Sequence, residues 1–96
     1  MQQYLIIGRD GNDLEAQERR IRAKSSHFEG AKELKLHGQF IIAGAILDDN
    51  GKMTGSMMLV QFETEDDLLD WMRNEPYING NVWESMEVKP FRVADI

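Results

Sequence analysis

Residues 40–63 have the sequence FIIAGAILDDNGKMTGSMMLVQFE, which predicts a β-hairpin in the middle of the chain. Two apolar runs, residues 40–47 and residues 53–63, flank the polar tetrapeptide Asp48-Asp49-Asn50-Gly51. Asn-Gly between two such runs is the strongest short-range hairpin signal, because both residues tolerate the positive φ angles of a tight turn. We therefore expect the two ends of the chain to build onto an antiparallel pair of strands.

The segment before the hairpin predicts one strand and one long helix. Residues 3–8 form a short apolar run typical of a strand, and residues 10–13 (DGND) are turn formers that also cap helices. Residues 14–37 are helical in composition, and Gly38 is a C-terminal stop signal. The Ser25-Ser26 pair leaves open a break into two helices, because serine is a good N-cap.

The segment after the hairpin repeats this order in reverse, with a helix and then a strand. Thr64 is expected to cap a helix, with Asp67 in the place of the usual Glu or Gln of a capping box. The helix is expected to run to about Asn74 and to end before Pro76, because a residue that precedes proline avoids helical angles. Residues 82–93 form the last strand. The order β-α-β-β-α-β predicts one ferredoxin-like α+β domain over residues 1–96, with a four-stranded antiparallel sheet and both helices on one face.

Three of the predicted strands are apolar on both faces, which two helices cannot cover. The segments concerned are residues 4–7 (YLII), 40–43 (FIIA) and 57–60 (MMLV), whereas a strand with one wet face alternates apolar and polar residues. A second copy of the same sheet would bury the remaining face, so we expect a homodimer with twofold symmetry, a dimeric α+β barrel. The alternative is that some of these residues line a large pocket within a monomer.

Composition limits the classes of partner. The formal net charge is −6 and the pI is about 4.8, which argues against general nucleic-acid binding because phosphate backbones attract basic surfaces. The chain has no cysteine, which excludes thiolate chemistry and fits a reducing compartment. The apolar run near the N-terminus is too short for a signal peptide or a membrane span, so a cytoplasmic location without a membrane partner is expected.

One local basic group departs from the acidic average; it consists of Arg19, Arg20, Arg22 and Lys24. A charge run of this kind usually marks the solvated face of a helix, and this is the interpretation we favour. The alternative is a collar of positive charge that draws an anionic small molecule toward a pocket.

Five short segments, in the same order along the chain, resemble motifs of the YciI-like (YCII-related) family. They are Arg20…Ser26-His27-Phe28, residues 38–44 (GQFIIAG), Gly55-Ser56, Glu75-Pro76-Tyr77 and residues 88–91 (VKPF). The resemblance implies a dimeric α+β barrel in which each protomer has a cleft between sheet and helices, with a His–Asp acid/base pair in it. Some members are similar to lactone-processing or dehalogenating lyases, which implies a lyase or isomerase acting on a small anionic or lactone-like metabolite.

The resemblance assigns roles to four residues of this chain. His27 matches the family histidine, and Glu75 stands where the family has aspartate, so its carboxylate arm is one methylene longer. The implied acid/base pair is therefore His27 and Glu75. Asp10 matches an acidic residue often found after the first strand, and Lys24 stands where the family often has arginine; both are candidates for substrate binding.

The residues themselves support part of this assignment. Ala31 and Leu34 follow His27 at helical spacing and are apolar, so His27 is expected to face inward, where a neutral imidazole can act as a general base. The alternative is a buried histidine bonded to one backbone carbonyl. Glu75 is expected at the C-terminal end of the second helix, where a carboxylate opposes the helix dipole and something else must hold it; the alternative is an ordinary surface acid.

Two hydroxyl groups complete the predicted site. Ser56 is expected to orient a ligand, and Tyr77 to donate a phenolic hydrogen bond, although an aromatic residue after proline is more often a packing residue.

The two histidines lack metal-ligand spacing and the chain has no phosphate-binding loop, so neither a metal nor a cofactor is expected. Three hypotheses follow: a lyase or isomerase, a non-catalytic small-molecule-binding module, or a structural dimerisation domain.

Overall fold

The computed structural model describes all 96 residues and confirms the predicted ferredoxin-like α+β fold. Its elements are β1 (Gln2–Asp10), α1 (Ala16–Leu36), β2 (Phe40–Leu47), β3 (Met53–Phe62), α2 (Glu65–Arg73), α3 (Pro76–Asn79) and β4 (Trp83–Phe91). The short helix α3 is the one element that the sequence did not suggest. No helix combines the length and the apolar composition that spanning a bilayer requires.

The four strands form one antiparallel sheet in the order β2-β3-β1-β4. The central strand β1 places Ile6 opposite Met58 of β3 and Val88 of β4, and all three side chains point toward the helices. Ile6 and Met58 are fully buried, together with Val60 on the same face. The core therefore lies between the sheet and the helices.

The glycine turn signals have the predicted effect. In the hairpin, the Asp48 Oδ1 atom accepts hydrogen bonds from the backbone N–H groups of Asn50 and Lys52. Gly51 adopts a φ of 81° and Gly38, just after α1, a φ of 69°, both in the left-handed region that favours glycine. These turns fix where β2 begins and ends and where β3 begins.

The second half of the chain contains one correction to the prediction. Thr64 caps α2 as expected, since its hydroxyl oxygen accepts a hydrogen bond from Asp67 N–H at 3.1 Å. Glu75, however, does not lie at the C-terminal end of α2. Pro76 begins the new helix α3, and Glu75 is its N-cap, with its carboxylate accepting from Tyr77 N–H. The helix dipole of this turn therefore favours the carboxylate instead of opposing it.

Helix α1 decides the alternative that the sequence left open, because it is continuous through Ser25 and Ser26. Both serine side chains are exposed, and neither hydroxyl bonds to the backbone. Without such a bond serine offers the chain no alternative to the helix, and the apolar and polar contacts of the flanking turns hold the helix together.

The sheet has an open face that carries no helix. Alternation along the strands places Leu5 and Ile7 of β1, Met57 and Leu59 of β3, and Ile42 of β2 on that face. Ile42 remains 55% exposed in the single chain. An apolar stripe of this kind across three strands is the feature on which the predicted dimer depends.

Candidate active site

The buried stripe of α1 is polar at its middle. Its buried residues are Ala16, Arg20, His27 and Leu34, at the spacing of one helix face. A long helix normally buries aliphatic side chains on such a face, and arginine is almost never buried unless it is paired. Arg20 is only 7% exposed and His27 only 6%, so each requires specific partners beneath the helix.

His27 has its partner in Glu75. The His27 Nδ1 and Glu75 Oε1 atoms are 2.5 Å apart, and both side chains are buried. The same Oε1 atom accepts the Tyr77 backbone N–H at 2.8 Å, which fixes the carboxylate at the start of α3. The additional methylene of glutamate therefore does not prevent the contact, and the structure brings together the two residues that the resemblance paired.

The other ring nitrogen of His27 has no partner in the protein. No hydrogen bond involves the His27 Nε2 atom. This atom is also not fully enclosed, because Trp83 Nε1 is the one fully enclosed side-chain nitrogen or oxygen that lacks a partner. The Nε2 atom is thus left without a protein partner, on a ring that is only 6% exposed. When Nδ1–H donates to the carboxylate, the neutral ring carries its free lone pair on Nε2, which is the arrangement of a general base.

Tyr77 and Trp83 hold the imidazole in place. The Tyr77 ring stacks on the His27 ring with centroids 3.7 Å apart and planes at 6°. Trp83 packs edge-on against both rings. Gly8 makes room for this packing, because a Cβ atom there would overlap the Trp83 indole. Burial raises the pKa of the Tyr77 phenol above its ordinary value, so the hydroxyl stays protonated at neutral pH and can donate a hydrogen bond.

Arg20 is buried, so the predicted position on a solvated helix face is wrong for this residue. It is not on a solvated face: its Nη1 atom binds both Asp10 carboxylate oxygens at 2.8 and 2.9 Å, and its Nη2 atom donates to the Ser56 Oγ at 2.9 Å and the Gly55 carbonyl at 3.2 Å. The guanidinium also lies 5.1 Å from the centroid of the Tyr77 ring. One signal was available, because Arg20 begins the first of the five segments that resemble motifs of the family.

Arg19 and Arg22 of the basic group do lie on a solvated face. Arg22 is exposed and 3.5 Å from Glu18 one turn away. Arg19 forms a two-pronged hydrogen bond with Asp13, and this bond lowers the pKa of the Asp13 carboxyl to about 2. Neither pair reaches the buried residues beneath the helix.

A cleft of about 380 Å³ lies between α1 and the edge strand β2. Lys24 and Tyr77 line it, as does Arg20, whereas Asp10 and Ser56 do not and instead bind the guanidinium from behind. His27 and Glu75 are not lining residues either. The pair lies behind Tyr77, next to Phe28, which is a lining residue and the chain neighbour of His27.

No group of three or more histidine, cysteine, aspartate or glutamate side chains is arranged so that it could hold a metal ion. The site contains the oriented imidazole of His27, the neutral phenol of Tyr77 and the ammonium of Lys24. It also contains the Arg20 guanidinium, whose charge Asp10 balances. Together they can move a proton and bind an organic molecule.

Solved structures with the same fold include an enzyme. The 5-chloro-2-hydroxyhydroquinone dehydrochlorinase TftG from Burkholderia phenoliruptrix, in complex with 2,5-dihydroxybenzoquinone, superposes with a TM-score of 0.80 at 22% identity, covering 96% of this chain and 95% of that chain. A dimeric ferredoxin-like protein of unknown function from Jannaschia superposes with a TM-score of 0.59 at 12% identity, covering 97% and 100%. At these identities the likeness shows the fold alone.

Sequence comparison gives the family. An uncharacterised protein of Haemophilus influenzae is 32% identical in an alignment of 96 positions that covers 93% of this chain and 95% of that protein. Protein YciI of Escherichia coli is 28% identical over 95 residues with the same coverage. The model of the YCII-related domain matches residues 2–92. This chain therefore belongs to the YCII-related family, as its motifs predicted.

Proposed function

We propose that this protein is a small-molecule enzyme of lyase or isomerase type in which His27 moves a proton. The observation that carries the proposal is the buried hydrogen bond from His27 Nδ1 to Glu75, which leaves Nε2 without a partner. A histidine held in this way is oriented by a carboxylate, as in enzymes that use an Asp–His pair.

Each group has a defined role in the proposed reaction. His27 Nε2 takes a proton from a carbon or oxygen atom of the substrate, and the Glu75 carboxylate stabilises the imidazolium that forms. If a leaving group then departs with its electron pair, the result is an elimination; if the same proton returns to another atom of the substrate, it is an isomerisation. Tyr77 donates a hydrogen bond to substrate oxygen from its place in the cleft.

Asp10 and Ser56 act indirectly in this proposal. Both bind Arg20, which is buried between the end of β1, the beginning of β3 and α1. Their contacts fix the guanidinium over Tyr77 and so fix one end of the cleft. Lys24 lies on the exposed side of the same end, where it can contact the substrate.

The chemistry named for TftG supports an elimination, since a dehydrochlorinase removes hydrogen and chloride from its substrate. Chloride release from 5-chloro-2-hydroxyhydroquinone is therefore the first assay. We expect turnover by the wild type and a loss of about 100-fold or more in His27→Gln, the usual contribution of a general base. His37→Gln is the matched control, because His37 is exposed and bonds only a carbonyl of its own helix.

A retained rate in His27→Gln, within about threefold of the wild type, would remove His27 from the mechanism. A second function, a non-catalytic binding module, is favoured by the fact that neither His27 nor Glu75 lines the cleft. Its signature would be binding of 2,5-dihydroxybenzoquinone that survives His27→Gln, with no chloride release by the wild type.

We further propose that a second copy of the chain covers the open face of the sheet. The open face supports this, because Ile7, Met57 and Ile42 keep exposed surface in the single chain, so water would otherwise contact apolar side chains on three strands. Light scattering should give a mass of twice the 11.1 kDa chain. Ile42→Glu should shift the mass toward the monomer, and a wild-type monomer at micromolar concentration would contradict the dimer.

A further inference from the structure

The cleft beside α1 is positively charged on a negatively charged protein. The chain contains 17 acidic and 11 basic residues. None of the acidic residues lines the cleft, whereas Arg20, Lys24, Lys32 and Lys35 do. Since the surface elsewhere is acidic, an anion is attracted to this cleft and repelled from most of its surroundings.

Two of these four charges are not neutralised. Arg20 is paired with Asp10, and Lys32 lies 3.2 Å from Glu29. Lys24 and Lys35 have no carboxylate within 4.0 Å, the distance that defines an ion pair. The Lys24 ammonium lies instead over the ring of Phe28, 5.5 Å from its centroid. The aromatic face holds the ammonium in position, and no negative charge balances its positive charge.

The rest of the cleft is apolar, with Phe40, Ala43, Met53 and the Tyr77 ring among its lining. Its volume of about 380 Å³ is that of a site for one small molecule. A fully polar anion would gain nothing from these apolar surfaces, and an uncharged apolar molecule would gain nothing from the two lysines. The lining therefore matches a molecule that combines an apolar body with one anionic group.

Spacing along the helix selects between the two free lysines. Lys35 is 11 residues after Lys24, roughly 16 Å along the axis at 1.5 Å per residue, so the two lysines lie at opposite ends of the cleft. Lys24 is about one turn from both Arg20 and His27, at the end of the cleft formed by Tyr77. An anion at Lys24 places the ligand's apolar body against Tyr77 and near the proton-moving pair.

We propose that the cleft binds a planar, largely apolar molecule with one anionic oxygen group, and that Lys24 recognises that group. This rests on the proposed function only in taking the occupant as the substrate; the binding itself does not require turnover. Lys24 acts as a specificity-determining residue, because an ammonium at this position favours the charged molecule over a neutral one of the same shape.

The test compares naphthalene-2-carboxylate with naphthalene-2-carboxamide, which differ in charge but hardly in shape, by calorimetric titration of the full chain. We expect the carboxylate to bind about tenfold more tightly than the amide, and Lys24→Gln to remove most of this preference. Lys52→Gln is the matched control, because Lys52 is exposed in the β2–β3 turn and does not line the cleft; it should leave both affinities unchanged. Lys35→Gln should have the smaller effect of the two cleft variants.

Equal affinity for the two probes, no binding of the carboxylate at millimolar concentration, or equal effects of Lys24→Gln and Lys52→Gln would each overturn the inference. The outcomes also separate it from the proposed function. Charge-blind binding together with His27-dependent turnover removes the inference and leaves the enzyme, whereas charge-selective binding by a protein without turnover does the reverse.

Discussion

Replacement of Glu75 should destabilise the protein by an amount that depends on which hydrogen bonds the new side chain retains. Its Oε1 atom is the acceptor for two buried donors, the His27 ring and the Tyr77 backbone N–H, and the residue is only 2% exposed. Alanine would leave both donors without a partner. A stranded buried donor costs about 1–3 kcal/mol, so Glu75→Ala should lower the free energy of unfolding by about 3–5 kcal/mol.

Glutamine separates the hydrogen bonds from the charge. Its amide oxygen can accept from both donors, and its NH₂ group would take the place of Oε2, which bonds nothing in the chain. Only the charge-assisted part of the interaction is lost, so Glu75→Gln should cost about 1–2 kcal/mol. The expected order is therefore wild type, then glutamine, then alanine.

Urea unfolding followed by tryptophan fluorescence measures these differences, with Glu29→Ala as the control for loss of an exposed carboxylate. Glu29 is paired only with Lys32 on the surface, so its removal should change the free energy of unfolding by less than about 1 kcal/mol. If Glu75→Ala is no more destabilising than Glu29→Ala, or if the alanine and glutamine variants are equal, the buried network has been described incorrectly. If the alanine variant does not fold, the glutamine variant must still be less stable than the control.

Three further predictions concern packing, capping and pH. Gly8→Ala should destabilise the protein by about 1–3 kcal/mol in thermal unfolding because the new Cβ overlaps Trp83, whereas Gly30→Ala, with open space at its Cβ, should be neutral or stabilising by up to about 1 kcal/mol. Thr64→Ala should cost about 1 kcal/mol by urea unfolding, since the first turn of α2 loses its side-chain acceptor. The pKa of Asp13 is lowered from 3.8 to about 2 by its arginine partner, so its contribution to stability is present above about pH 4 and is lost as the pH falls toward 2; the melting temperature of Asp13→Asn should therefore fall less across this window than that of the wild type. An equal fall in both proteins, an unchanged Thr64→Ala, or a stable Gly8→Ala would contradict the corresponding contact.

The sequence was sufficient for those parts of the fold that depend on local chemistry. Gly38 and Gly51 adopt positive φ, and Thr64 caps its helix, because each effect involves residues at most a few positions apart. At Ser25 and Ser26 the local pattern left open whether the helix breaks. A serine breaks a helix only when its hydroxyl competes for the backbone, and here both hydroxyls face solvent.

The site depends on contacts between distant residues, and here the sequence was less informative. The burial of Arg20 depends on Asp10 at the end of β1 and Ser56 in β3, 10 and 36 positions away, so it could not follow from the charge pattern of the helix. The position of Glu75 depended on a four-residue helix that begins at Pro76. A proline that stops one helix can also start the next, because its fixed φ suits the first helical position.

The functional proposal rests on which nitrogen of His27 carries the proton. Two-bond ¹H–¹⁵N correlation spectra at about pH 8 distinguish the two neutral tautomers, and His27→Gln identifies the signals of this ring. We expect the proton on Nδ1, bonded to Glu75, and an unprotonated Nε2 whose signal shifts when an anionic ligand enters the cleft. A proton on Nε2 in the neutral ring would contradict the account, because that nitrogen could not then accept a proton from a substrate.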